Sequence, residues 1–205
     1  MPAAAWRRLP RSFYCRDPLA VAPDLLNRIL ACSDGRAGRI VEVEAYCGTD
    51  DPAAHSFRGQ TRRNATMFGP CGHLYVYFTY GMHWCANIVC GVPGSGSAVL
   101  VRAIEPMGDI DAMRSARGCP PRDRDIGSGP ARLAQALGIT DALDGADLVR
   151  GTQGIRLVDD GTPPPVDPVV GTRIGISKAV DYPWRWHVAG HAHVSRPPAR
   201  RQTPK

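Results

Sequence analysis

Between residues 39 and 46 the chain reads Arg-Ile-Val-Glu-Val-Glu-Ala-Tyr. A side-chain period of two puts Ile40, Glu42, Glu44 and Tyr46 on one face of a strand and Val41, Val43 and Ala45 on the other. Two carboxylates and an aromatic opposite a β-branched face describe a strand whose polar side meets solvent or lines a site. Upstream, Asp17-Pro18 predicts a helix start, with an N-cap followed by proline at the first helical position. Leu19, Ala22, Leu25, Leu26, Ile29 and Leu30 follow at helical spacing. Residues 47–73 read as a long polar loop. Strands at 74–80 and 84–90 flank Gly81-Met82 as a hairpin. A strand at 98–104 is expected to break at Glu105-Pro106, and a short helix at 109–117 to follow. Ser128 is the expected cap of a helix with Pro130 in its first turn, a body at 131–137 and Gly138 as its stop. A helical turn at 145–148, a surface linker at 163–165 and last strands at 173–177 and 184–189 complete the pattern. Strands in neighbouring hairpins, with helices between the groups, predict an α+β protein built on an antiparallel sheet.

A chain of 205 residues suits one domain with one sizeable core. The basic ends divide it into a flexible arm at 1–16, a folded domain at 17–195 and a disordered tail at 196–205. The net charge of +6 points to a polyanionic partner, most simply nucleic acid. Only Lys178 and Lys205 are lysines, and arginine suits phosphate because its planar fork binds two oxygens at once. Seven cysteines, an odd number with no Cys-x-x-Cys pair, suggest buried free thiols and a reducing compartment. The first residues lack a secretory apolar run, and the most apolar window, 74–92, is interrupted by Thr79, His83 and Asn87. These features predict a cytoplasmic protein with no membrane span.

Candidate chemistry follows from polar residues in apolar surroundings. Tyr75 and Tyr77 share a face of the hairpin, with Tyr80 and Met82 at its turn. An aromatic beside glycine at a hairpin tip is suited to wedge between base steps, although strand aromatics are also ordinary. Arg102 lies in the apolar run Ala-Val-Leu-Val-Arg-Ala-Ile, predicted to share a face with Leu100 and Ile104 and to need a carboxylate such as Glu44, or else an exit to solvent. Asn87 either fills a backbone hydrogen-bonding gap or reads a ligand edge.

Six separate motifs taken in order give this chain a family likeness. They are Arg39 to Tyr46, Asp51-Pro-Ala-Ala-His-Ser56, Arg63-Asn64 with Met67-Phe68, Leu74 to Tyr77 with Tyr80 to His83, Val101 to Pro106, and Gly127 to Leu133. This set resembles the alkyladenine (methylpurine) DNA glycosylases from about Asp17 to Ser195. The resemblance implies a monomeric base-excision repair enzyme acting on double-stranded DNA with a damaged purine, without cofactor or metal. It implies a single α+β domain with a curved antiparallel sheet like the C-terminal domain of formyltransferases. It aligns Glu44 with the general base, Arg102 and the backbone of Ile174 with groups that hold the attacking water, and Tyr46, His55 and Tyr77 with the walls that stack on a flipped base. Asn87 aligns with a residue that disfavours the exocyclic amine of guanine, Tyr80 with the intercalating wedge, and Met82 and His83 with its flank. Arg62 and Cys71 stand where the family usually has proline.

The implied chemistry is hydrolysis of an N-glycosidic bond with a water activated by Glu44, leaving an abasic site. The expected substrates are 3-methyladenine, 7-methylguanine, hypoxanthine and ethenoadenine. Strict alternation places Glu42 on the pocket face with Glu44, unless it lies beyond the pocket rim or pairs with Arg39. A lyase needs an amine nucleophile, for which Lys178 and Pro2 are poor candidates. His187, His191 and His193 suggest a metal site only if 187 and 191 share a helix, and Gly190 with the alternation before it argues for structural histidines. A damaged-DNA-binding module without chemistry is the remaining alternative.

Overall fold

The computed structural model describes residues 6–79 and 81–195. Its chain order is β1 (Arg7–Arg8), α1 (Arg11–Tyr14), α2 (Pro18–Leu25), β2 (Ile29–Cys32), β3 (Arg36–Cys47), β4 (Leu74–Thr79), β5 (His83–Cys90), β6 (Ser97–Gly108), α3 (Ile110–Ala116), α4 (Arg124–Gly127), α5 (Pro130–Leu137), β7 (Ile155–Asp159), β8 (Val169–Gly171) and β9 (Arg185–His187). All nine strands join one sheet, in the order β1-β7-β2-β3-β6-β5-β4, with β9 pairing both β3 and β8. Every pairing is antiparallel. The α+β expectation is met.

The two faces of this sheet carry different residues. On one, Val43, Ala45, Leu74, Val76, Ala86, Ile88, Val99 and Val101 meet α2 and α5 through Val21, Ala22, Leu25, Leu133, Ala134 and Leu137, forming the main core. On the other lie Glu42, Glu44, Tyr46, Tyr75, Tyr77, Asn87, Leu100 and Arg102, each one residue out of phase with a core position. The alternation that opens the sequence is thus real, with one correction. Ile40 joins the core with Val43 and Ala45, because the β3–β6 register shifts between Ile40 and Val43 and leaves Val41 and Arg102 unpaired. That irregularity turns Glu42 away from Ile40. Likewise Ile104 packs in the core rather than beside Arg102.

Other boundaries move for identifiable reasons. Asp17 caps α2 through a 2.7 Å bond from the Leu19 N–H, with Pro18 next, as expected. The apolar spacing that continues to Leu30 is not helix, because Asn27 takes a left-handed φ of 67° and ends it, and Ile29 begins β2. Strand β6 runs through Pro106 to Gly108, where β5 no longer pairs with it and a missing donor is tolerated. Ser128 does not cap α5; Gly129 precedes it without a side-chain cap, and Gly138 at φ 68° closes it. The turn expected at 145–148 is replaced by a 3-10 turn at Asp141–Leu143. Residues 173–177 are loop, because Arg173 and the Ile174 N–H are engaged elsewhere.

Two expectations about the N-terminal region are overturned. Residues 6–16 are built into the fold: Arg7 and Arg8 pair with β7, Tyr14 is buried, and Arg11 bonds Asp147 at 2.6 Å. Cys15 and Cys71 form a disulfide, so these two thiols are not free; Cys32, Cys47, Cys85, Cys90 and Cys119 are. The disulfide closes where the ring of Tyr14 packs against Gly72, whose φ of 77° favours glycine and where a Cβ would crowd the ring at 3.0 Å. Residues 1–5, Tyr80 and the tail at 196–205 lie outside the described residues. No helix among those described is long and apolar enough to cross a membrane.

Candidate active site

The polar face of the sheet opens into a cavity of about 550 Å³. Tyr46, His55, Tyr75, Tyr77, Asn87 and Arg102 line it, with Ile174 and the first turn of α5 at its edges. The aromatics come from two sources. Strand β4 presents Tyr75 and Tyr77 as i, i+2 neighbours, stacked with ring centroids 5.6 Å apart. The loop after β3 brings His55 edge-on to Tyr77 at 4.4 Å and places its Nδ1 3.2 Å from the Tyr75 hydroxyl. Burial, reinforced by Arg63, pulls the His55 pKa down and favours the neutral ring. Burial pushes the Tyr75 phenol up to about 12.

Glu44 lies one layer under this wall, fully buried. Its Oε1 accepts from the Ile174 N–H at 2.7 Å and lies 3.1 Å from Arg102 Nη1. Its Oε2 accepts from the Tyr46 hydroxyl at 2.9 Å. Burial raises its pKa, while Arg102, the Ile174 amide and Tyr46 pull the other way. The structure therefore joins Glu44, Arg102, the Ile174 backbone and Tyr46 in one cluster at the base of the aromatic walls.

Glu42 shares the face of Glu44, as strict alternation expects, and does not pair with Arg39. It is as buried as Glu44 and accepts from Arg102 Nε at 3.2 Å, Arg185 Nη1 at 2.8 Å and the Ser195 N–H at 2.7 Å. Arg39 binds Asp160 instead, at 2.7 Å. Arg102 thus bridges two carboxylates, which satisfies the requirement that a buried arginine be paired.

Sequence reasoning passed over the group that holds this cluster from outside. Arg173 and Asp51 form a fully buried pair, with Nη2 to Oδ1 at 2.8 Å, and the guanidinium stacks over Tyr46 at 4.7 Å and Trp184 at 5.0 Å. Asp51 also accepts from the Ala53 N–H, so the loop carrying His55 is tied to the segment carrying Ile174. The signal was Arg173 beside Ile174 in Thr-Arg-Ile-Gly. Arg185 was similarly hidden in the Trp-Arg-Trp alternation.

Asn87 does what the plainer reading expected: its Nδ2 donates to the Tyr75 carbonyl at 3.2 Å while the residue lines the cavity. At the hairpin turn Met82 is 67 % exposed, and His83 is exposed at the cavity edge.

The antiparallel α+β scaffold thus places a buried carboxylate–guanidinium centre under an aromatic pocket. The chain matches the methylpurine-DNA glycosylase family over residues 12–192, and it belongs to that family. It is 59% identical over 202 residues to a Burkholderia lata protein, covering 98% of both chains. It is 50% identical over 197 residues to one from Rhodopseudomonas palustris, covering 96% of this chain and 94% of the other. To one from Methanoculleus marisnigri it is 49% identical over 193 residues, covering 92% and 98%. Each relative carries the name "Putative 3-methyladenine DNA glycosylase". This chain is accordingly a DNA glycosylase.

Proposed function

We propose that the protein flips a damaged purine out of duplex DNA into the aromatic cavity and hydrolyses its N-glycosidic bond with a water activated by Glu44, leaving an abasic site. The observation that carries this reading is the unequal saturation of the Glu44 carboxylate. Oε1 meets two donors, the Ile174 amide and Arg102, which use its two lone pairs. Among the described residues Oε2 meets only the Tyr46 hydroxyl, which leaves it a lone pair for the proton of a water. A carboxylate whose pKa is raised is also a better base near neutral pH than an ordinary one.

The walls fit alkylated purines such as 3-methyladenine and 7-methylguanine. Their positive charge makes the base a good leaving group and is attracted to the faces of Tyr46 and Tyr77. A neutral His55 stacks without repelling that charge. Hypoxanthine and ethenoadenine are flat enough for the same cavity. Damaged or mismatched bases cost least to extrude, which adds selectivity before any pocket contact. Met82 and His83 at the hairpin turn, with Tyr80 just before them in the sequence, are assigned to fill the vacated stack.

The test is single-turnover base release from duplex DNA carrying one ethenoadenine or one hypoxanthine, with methylated DNA in parallel. Wild type is expected to release base and leave an unbroken abasic strand. Glu44→Gln is expected to bind the same DNA and to be slower by about 100-fold or more. Equal rates for the two proteins would remove Glu44 as the base. Tight binding without release from any substrate would leave a damaged-DNA-binding module.

A further inference from the structure

Strand β6 passes the catalytic cluster and carries Glu105 to the point where the chain after β9 folds back over the sheet. There His191 Nε2 lies 3.7 Å from Glu105 Oε2, and the rings of His191 and His193 are 5.5 Å apart. Ligand atoms of all three residues fall within 4.8 Å of one another. The His193 N–H lies 3.3 Å from His191 Nδ1, and Nε2 of that ring faces the carboxylate. Binding a metal through Nε2 needs the tautomer with the proton on Nδ1, which releases this contact. The histidine pair that meets is thus 191 and 193 on a turn, not 187 and 191 on a helix.

A second observation points to a missing ligand. Both ring nitrogens of His193 are shut off from solvent without a hydrogen-bond partner among the described residues. Buried imidazole nitrogens are ordinarily paired, because losing water without replacement is unfavourable. A metal ion takes the lone pair of one such nitrogen, and the other, which carries the ring proton, then needs only an acceptor.

We propose that Glu105, His191 and His193 bind one divalent transition-metal ion of the zinc class, with solvent completing its coordination. Two imidazoles and one carboxylate suit a borderline ion better than calcium or magnesium, which take oxygen ligands. Tetrahedral ligands at about 2 Å from zinc sit roughly 3.4 Å apart, so the three side chains need to close by about 1 Å. Arg39 does not block this: its contact with Glu105 is a loose 3.8 Å, and its tighter bond is to Asp160. The ion would staple the C-terminal segment to β6 two residues before Ser195, whose N–H holds Glu42 and whose hydroxyl lies 3.4 Å from Arg102 Nη2.

The experiment uses the full chain, freed of metal by a chelator, and needs no DNA, so its outcome is separate from that of the glycosylase reading. Zinc chloride is titrated by calorimetry and followed by thermal melts, and cobalt chloride by absorption. One ion per chain is expected, with a higher Tm, because a ligand that binds only the folded state stabilises it. Cobalt should give a nitrogen–oxygen spectrum without the sulfur-to-metal band of a cysteine site. His191→Asn and His193→Ala should each weaken binding by roughly tenfold or more, since even groups behind the ligands are worth that much. Cys119→Ser, which removes the exposed free thiol, should bind as wild type does. Absence of a zinc-linked rise in Tm, its persistence in both histidine variants, or its loss in Cys119→Ser would each overturn the proposal.

Discussion

At the scale of single residues, the site holds a carboxylate in a state it resists. Burial raises the pKa of Glu44 despite three donors, so the folded protein binds its proton more tightly than the unfolded chain does. Stability contributed by this group is therefore present at low pH and falls as pH climbs from the ordinary carboxylate value through the raised one. Base catalysis needs the ionised form, so activity should rise over the same interval. Urea unfolding of wild type and Glu44→Gln across a pH series should show wild type losing stability relative to the variant in that interval, with single-turnover base release increasing there. Parallel stability curves would mean that Glu44 ionises in the native state as easily as in the unfolded one.

Among the elements, loops depend on ion pairs for their place. Asp51→Ala leaves Arg173 buried without its anion and releases the turn at Ala53, and breaking such a pair costs about 3–5 kcal/mol. Denaturant melts should show that loss. Weaker saturation by substrate DNA should accompany it, because Arg173 backs Tyr46. The pair of Arg39 and Asp160 acts the opposite way in pH from Glu44. The Arg39 guanidinium, and then the Thr162 amide, hold the Asp160 carboxyl well below its ordinary range. Its stabilisation is present above the unfolded carboxylate value and disappears as pH falls through the native one. Asp160→Asn should cost about 1–2 kcal/mol at neutral pH, with the difference from wild type shrinking as the solution is acidified.

How far these elements could be read in advance depended on what shaped them. The strand at 39–46, the hairpin and the body of α5 were legible because their periodicity is local and unbroken. Glu44, Arg102 and Tyr46 could be placed for the same reason, with the family likeness assigning their roles. Ile40 and Ile104 were misplaced because the register shift between β3 and β6 arises only when the strands meet. The ends of α2 and β6 depended on the left-handed turn at Asn27 and on which neighbour Pro106 faces. Arg173, Arg185 and Ser195 were missed because each reaches a carboxylate more than 100 residues away, a distance no local pattern records.

For the whole molecule, the net charge of +6 fits a DNA partner whose phosphates dominate affinity. Within the arm Arg7, Arg11 and Arg16 are paired with Asp159, Asp147 and Asp24, so much of its charge is already engaged in the fold. The tail at 196–205 contributes Arg196, Arg200, Arg201 and Lys205. Its deletion should flatten the dependence of log binding constant on log salt by about 0.9 for each phosphate the tail had neutralised, measured by fluorescence anisotropy on undamaged duplex. An unchanged slope would show that the tail does not touch DNA.

The bond from Ser195 to Glu42 also orders events during synthesis. Strand β3 leaves the ribosome early, carrying a charge that the finished protein buries completely and neutralises through residues 102, 185 and 195. Until the last of these emerges, a growing chain has only part of what that carboxylate requires, and closing so long a loop is slow. The Glu42 cluster beneath the cavity should therefore be among the last parts of the molecule to settle. A nascent chain arrested before residue 195 should expose β3 to proteases that leave the released protein intact.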